Sequence, residues 1–170
     1  MGLYFLGGSW PDSKAGHPLT VPIFEAVLEL RAGLRRVRPA LLHMDYWPGN
    51  ILWHQGRISA LVDWDAASYG DPALDVAYFR MNMYLRGIKE AADMFLDFYE
   101  AESGPVGNVG FWELACAARP LPEPALWADP LSDAALLIPA PEDVRSIDER
   151  AEAGLREFVE LALRRAYAGR

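Results

Sequence analysis

A two-residue break, Gln55-Gly56, separates two short runs of β-formers, 50–54 and 57–63, in a chain whose other patterned segments, apart from a short apolar strand candidate at 40–43, repeat every three to four residues. A Gly-containing gap of this length between such runs signals a β-hairpin. It restricts the sheet to a small element and leaves the bulk of the fold to helices. From 21 to 37, Ile23, Phe24, Val27, Leu28 and Leu34 recur at helical steps, while Glu25, Glu29, Arg35 and Arg36 mark the wet side and Pro39 closes the segment. Segments 76–85 and 91–101 read the same way, with Phe95, Phe98 and Tyr99 on the inner side of the second. A further helix covers 111–119. The last carries an inner stripe of Ile147, Ala151, Leu155, Phe158, Ala162 and Leu163. Glu142, Asp143, Asp148 and Glu149 lie near its start and Arg164, Arg165 and Arg170 at its end, the polarity a helix dipole favours. Residues 1–20 form an irregular lead-in, and 120–141, with six prolines, form a Pro-rich loop. The expected fold is α+β and mainly helical, a single domain over 1–170.

Composition narrows the function classes. The chain has 170 residues, 52% hydrophobic, with a formal charge of -8. A surface so acidic lacks the clustered cations that grip phosphate backbones or anionic bilayers, so nucleic acid and membranes are not expected partners. A single Cys116 allows no internal disulfide and reads as a packing residue. The apolar start, MGLYFLGGSW, lacks a basic leader and a small-residue cleavage site, so the expected setting is cytoplasmic.

Five of the twelve aspartates, Asp45, Asp63, Asp65, Asp71 and Asp75, fall within 45–75, where the only Lys or Arg is Arg57. Carboxylates this dense need a divalent cation, backbone N–H groups or water to offset their repulsion. Asp71 and Asp75 are well placed as turn and cap residues. If His54 pairs with Arg57, Trp53 faces Ile58, Ile51 faces Ala60 and Asn50 faces Leu61. Ile51, Trp53, Ile58, Ala60 and Val62 then form a core face. Asn50 and Asp63 become diagonal neighbours on the other, with backbone positions about 7 Å apart. That gap suits a magnesium ion bridged by an amide and a carboxylate oxygen. Asp45, five residues before Asn50, reaches over the same spot from the connecting loop, an arrangement fit for phosphoryl transfer.

These residues also carry a resemblance. LLHMDYWPGNILW is similar to the HxDxxxxN catalytic loop of kinases. VDWDAASYGDPALDVAYF, with Asp63 standing 13 residues after Asn50 and GDPxxD following, resembles the metal-binding segment and next helix of the aminoglycoside phosphotransferase and choline kinase-like family. The resemblance implies the carboxy-terminal lobe of a protein-kinase-like fold, whose small β-hairpin carries the catalytic loop. It implies Asp45 as acceptor of the substrate hydroxyl's proton, Asn50 and Asp63 as ligands of Mg2+ on ATP or GTP, His43 as architectural, and Asp75 as a brace of the loop. Met44 stands where the family usually has Gly. Asp63-Trp64-Asp65 replaces the DFG of protein kinases, and no APE segment follows.

Only 42 residues precede His43, and neither lysine, Lys14 nor Lys89, lies on a strand where it could grip the α- and β-phosphates. The amino-terminal nucleotide-binding lobe is therefore expected to be absent. The expected function is transfer of a γ-phosphate to a hydroxyl of a small molecule, such as an aminoglycoside or an amino alcohol, with a separate chain as a possible source of the other lobe. Two rivals stand beside it: a non-catalytic, truncated kinase-like binding module, and a metal-dependent phosphohydrolase using the same aspartates. His43 reads as a core histidine, His17 and His54 as surface residues. Trp10, Trp47 and Trp127 read as core and loop anchors that could also line an acceptor cleft.

Overall fold

The computed structural model describes residues 14, 16–128 and 146–168. Its element order is α1 (Thr20–Leu30), β1 (Ala40–Leu42), β2 (Ile51–His54), β3 (Arg57–Leu61), β4 (Ser68–Gly70), α2 (Ala73–Leu85), α3 (Lys89–Ser103), α4 (Val109–Ala117) and α5 (Ile147–Ala168). The architecture is α+β and mainly helical. The lead-in falls largely outside the described residues, as does the Pro-rich loop beyond residue 128. Within that loop, Pro124–Trp127 form a 3-10 turn.

Helix α2 is the centre of the body and packs against α3, α4 and α5, while α1 covers α4. All nine residues of α4 are buried. Helix α5 presents Ala151, Leu155, Phe158, Val159 and Ala162 inward, and Ser146 starts it with a capping box. Ser146 Oγ accepts the Glu149 N–H at 3.3 Å, and the Glu149 carboxylate accepts the Ser146 N–H at 3.0 Å. Helix α3 buries Ala92 and Leu96 and half-buries Phe95 and Tyr99, but Phe98, expected on the inner side, is 65% exposed. The next turn's inner position belongs to Tyr99, one residue on. The first helix ends at Leu30, with a 3-10 turn over Arg31–Gly33, short of the expected 37.

Close crossings depend on two glycines. A Cβ on Gly110 would lie 2.5 Å from the backbone nitrogen of Ala166, and one on Gly154 would collide with the backbone carbonyl of Tyr84. Backbone cannot yield as a side-chain tip can, so Gly154→Ala is expected to cost on the order of 2–3 kcal/mol. Thermal denaturation checks this: a fall in Tm of roughly 5–10 °C is expected, against little change for Gly33→Ala, where nothing lies within 4 Å.

The hairpin forms, with Gln55 and Gly56 both at positive φ, 50° and 76°, as a type I′ turn requires. His54 pairs with Arg57 and Trp53 with Ile58, as expected. Beyond them a bulge shifts the register, so Leu52 faces Ala60 and Ile51 faces Leu61. Ser59 is the extra residue, and its hydroxyl donates to the Leu52 carbonyl at 3.1 Å. The expected pairs Ile51–Ala60 and Asn50–Leu61 are thus overturned. So is the expected core face: Trp53 is 64% and Ile58 54% exposed. Strand β4 pairs antiparallel with β1, Leu42 opposite Ser68 and Ala40 opposite Gly70. His17, expected at the surface, is half-buried, with Nε2 2.9 Å from Glu152.

Candidate active site

The β1–β4 pairing brings the chain after Leu42 against the start of α2. There Asp75 accepts two backbone N–H groups, from His43 at 2.6 Å and Met44 at 2.9 Å. Burial pushes the Asp75 carboxyl up from its ordinary value, and those two bonds pull against the rise. Met44 adopts φ 69°, the left-handed region that favours Gly. Both its backbone groups are engaged, its carbonyl accepting from Arg119 at 3.3 Å. His43 is buried, with Nε2 2.8 Å from the Val62 carbonyl and its ring 4.6 Å from that of Trp64. A carbonyl only accepts, so Nε2 carries the hydrogen. The left-handed turn at Met44 then presents Asp45.

The Asp45 carboxylate is held from two sides. Asn50 Nδ2 donates to Asp45 Oδ2 at 3.0 Å and to its backbone carbonyl at 2.9 Å. Tyr78, on α2, donates its hydroxyl to Oδ1 at 2.6 Å. Because Asp45 offers Asn50 only acceptors, the amide must turn its nitrogen toward Asp45 and its Oδ1 away, which is the atom a cation would use. Asn50 also anchors the hairpin, its carbonyl accepting the Val62 N–H at 3.0 Å. Asp63 is the next residue along. It is exposed, at φ 63°, with no protein donor on its carboxylate among the described residues. Asn50 and Asp63 are therefore neighbours at the open end of the hairpin ladder, not diagonal partners across a regular sheet face. Among the described residues no group of three His, Cys, Asp or Glu could hold a metal. An ion here would take a pair of protein ligands and complete its shell from phosphates and water, the manner in which Mg2+ is commonly bound.

Asp45 opens on a cavity of about 320 Å³, walled by Trp47, Tyr78, Asn82, Arg86, Leu126 and Trp127. Two guanidiniums brace it. Arg86 lies 5.1 Å from the Trp47 ring, and Arg119 lies 4.3 Å from the Tyr78 ring and 5.4 Å from that of Trp127. Sequence reasoning missed Tyr78, Asn82, Arg86 and Arg119. The first three were within reach, since they follow Asp75 at three- and four-residue steps and so share its face of α2. Arg119 arrives from the end of α4 and has no local signal. Trp10 lies outside the described residues.

The remaining candidates take structural places. Asp71 accepts the Ala73 N–H at 3.0 Å in the first turn of α2 and the Asn108 amide at 2.8 Å. Lys14 Nζ donates to the carbonyls of Ala118, Arg119 and Leu121 just past α4. Burial, with the charge of Arg119, lowers its pKa. Cys116 is buried, which pushes its thiol up to about 12 and makes it unreactive. No described helix is long and apolar enough to cross a membrane.

No curated protein and no solved structure matches the chain significantly. The model of the phosphotransferase enzyme family does match, over residues 9–109, and that span contains the loop with Asp45 and Asn50, the hairpin, Asp63 and all of α2. It covers more than half of the sequence, and the chain belongs to this family of aminoglycoside phosphotransferase-like enzymes.

Proposed function

We propose that the chain acts as the carboxy-terminal, kinase-like part of a small-molecule phosphotransferase that moves the γ-phosphate of ATP or GTP to an acceptor hydroxyl. The observation that carries this is a single carboxylate, Asp45, fixed by Asn50 and Tyr78 at the mouth of a cavity large enough for a small molecule. An acceptor in that cavity would give its hydroxyl proton to Asp45 as its oxygen bonds to the γ-phosphorus and the bond to the β–γ bridging oxygen breaks, releasing ADP or GDP, the residue's task being alignment as much as basicity. Asn50 Oδ1 and the Asp63 carboxylate would hold Mg2+, which when bound neutralises charge on the triphosphate. The chain's overall charge of -8 is no guide to the acceptor, because Arg86 stands at the cavity wall and Arg119 lies against the Tyr78 and Trp127 rings that line it.

Calorimetric titration with Mg-ATP tests the reading. Micromolar binding by the wild type and at least about tenfold weaker binding by Asp63→Ala are expected, as for loss of one charged ligand. No binding, or equal binding by the variant, overturns it. One observation favours a second reading, in which the chain is a binding module completed by a separate lobe. The hairpin's Leu52, Trp53 and Ile58 are all exposed, a patch of the kind partners cover. Monomeric, monodisperse behaviour of the purified chain in sedimentation counts against that reading.

A further inference from the structure

The Tyr78 hydroxyl stands where a nucleophile would stand. It donates to Asp45 Oδ1 at 2.6 Å, the contact a phosphate-accepting hydroxyl must make with a catalytic carboxylate. Yet Tyr78 belongs to the protein and cannot diffuse away. Its ring is buried in α2 and held under Arg119. Burial raises its pKa above the ordinary tyrosine value, so it stays protonated and can only donate to the carboxylate. Asn50 occupies the other carboxylate oxygen. Each carboxylate oxygen thus already accepts one protein hydrogen bond, leaving one lone pair on each for a hydroxyl that the cavity positions.

We propose that Tyr78 is a specificity-determining residue that keeps water away from Asp45, so that the carboxylate activates a bound acceptor and not solvent. The inference rests on Asp45 being the catalytic carboxylate. The reaction suppressed is hydrolysis: a water oxygen bonds to the γ-phosphorus, the bond to the β–γ bridging oxygen breaks, ADP leaves, and the water's proton passes to Asp45. Phosphotransferases face this side reaction whenever nucleotide is bound and acceptor is not, and excluding water is the general defence. Removing the Tyr78 oxygen alone would free a second lone pair on Asp45 Oδ1 beside a cavity with room for water, and a water would enter to satisfy it.

The test is ADP release from Mg-ATP with no acceptor added, comparing wild type with Tyr78→Phe. The variant is expected to release ADP at least about tenfold faster, a fraction of what general-base assistance supplies, with unchanged calorimetric affinity for Mg-ATP. The gain should vanish in Tyr78→Phe/Asp45→Asn if it runs through the carboxylate. A merely structural role would lower activity or leave it unchanged, so a gain is diagnostic. Should Tyr78→Phe fail to fold, Tyr78→Met removes the same hydroxyl and must show the same gain. Unchanged or slower release with Mg-ATP still bound overturns the role of Tyr78 and leaves the phosphotransferase reading standing. Absence of Mg-ATP binding by wild type and variant alike overturns both.

Discussion

Glu113→Ala is expected to destabilise the chain by about 3–5 kcal/mol, the usual result of removing one partner from a buried ion pair. Arg80, on α2, and Glu113, on α4, both have side chains with no exposure, and Arg80 Nε donates to Glu113 Oε1 at 2.7 Å. The same oxygen accepts from Arg165 on α5, while Arg80 Nη1 donates to the Ala92 carbonyl at 2.6 Å and to Asp93 at 3.0 Å. One carboxylate thus ties three helices together. Burial opposes the charge on Arg80, but Glu113 and Asp93 outweigh it and raise its pKa. Without Glu113 the guanidinium keeps the neutral Ala92 carbonyl and, as its one carboxylate among the described residues, Asp93, which is more than half exposed; its Nη2 already has no partner among those residues. Arg165 is partly exposed and can turn to solvent. The double variant Arg80→Met/Glu113→Leu should cost less than Glu113→Ala, because it removes the stranded charge and keeps the volume. Urea denaturation of the three proteins decides the matter. A loss below about 1 kcal/mol for Glu113→Ala would show that the pair does not hold α2 against α4. The stake is functional, since α2 carries Asp75 and Tyr78, and Arg119 lies just past the end of α4.

That network also shows where sequence reading stops. Helices α3 and α5 were legible because each has one wet face, so apolar residues recur at helical spacing. Helix α4 is buried on every side, which erases the period and left only its composition to go on. The hairpin was legible from Gln55-Gly56, but its register was not. A bulge at Ser59 is set by one side-chain hydrogen bond, and a single extra residue moves every later side chain to the opposite face. Strand β4, of three residues, is too short to display alternation, and β1 was legible only as the short apolar run 40–43. Within the site, the five-residue reach from Asp45 to Asn50 is local, and the two side chains do meet. Asp75 meets the backbone of His43 and Met44 across a distance no pattern encodes, and only the motif resemblance pointed to it. Tyr78 could have been inferred one turn further along α2; Arg119 required the tertiary fold.

Asp45→Asn is the substitution with the largest expected effect on chemistry. Asparagine keeps the shape and an oxygen to receive the Tyr78 hydroxyl; its amide nitrogen then faces Asn50 Nδ2, donor to donor, but the backbone carbonyl of residue 45 still accepts from Asn50 and keeps its orientation, so the loop held by Asp75 and the packing around Trp47 should persist. What it lacks is a negative charge and a site for the acceptor's proton. Phosphate transfer should fall on the order of 10² to 10⁴-fold, the range general-base assistance covers, while Mg-ATP affinity should change little, because Asn50 and Asp63 are the proposed metal ligands. Two further comparisons make the result specific. Asp45→Ala should lose as much transfer but also some stability, since it leaves the Tyr78 hydroxyl without its acceptor and the Asn50 amide with only the backbone carbonyl of residue 45. Asp75→Asn should instead weaken the loop, because an amide can satisfy only one of the two backbone N–H groups now bound. The measurement is ADP release from Mg-ATP across a panel of hydroxyl acceptors, with thermal midpoints recorded for each variant. Transfer unchanged in Asp45→Asn would remove Asp45 from the reaction, and with it the reason to place the acceptor in the cavity beside Tyr78.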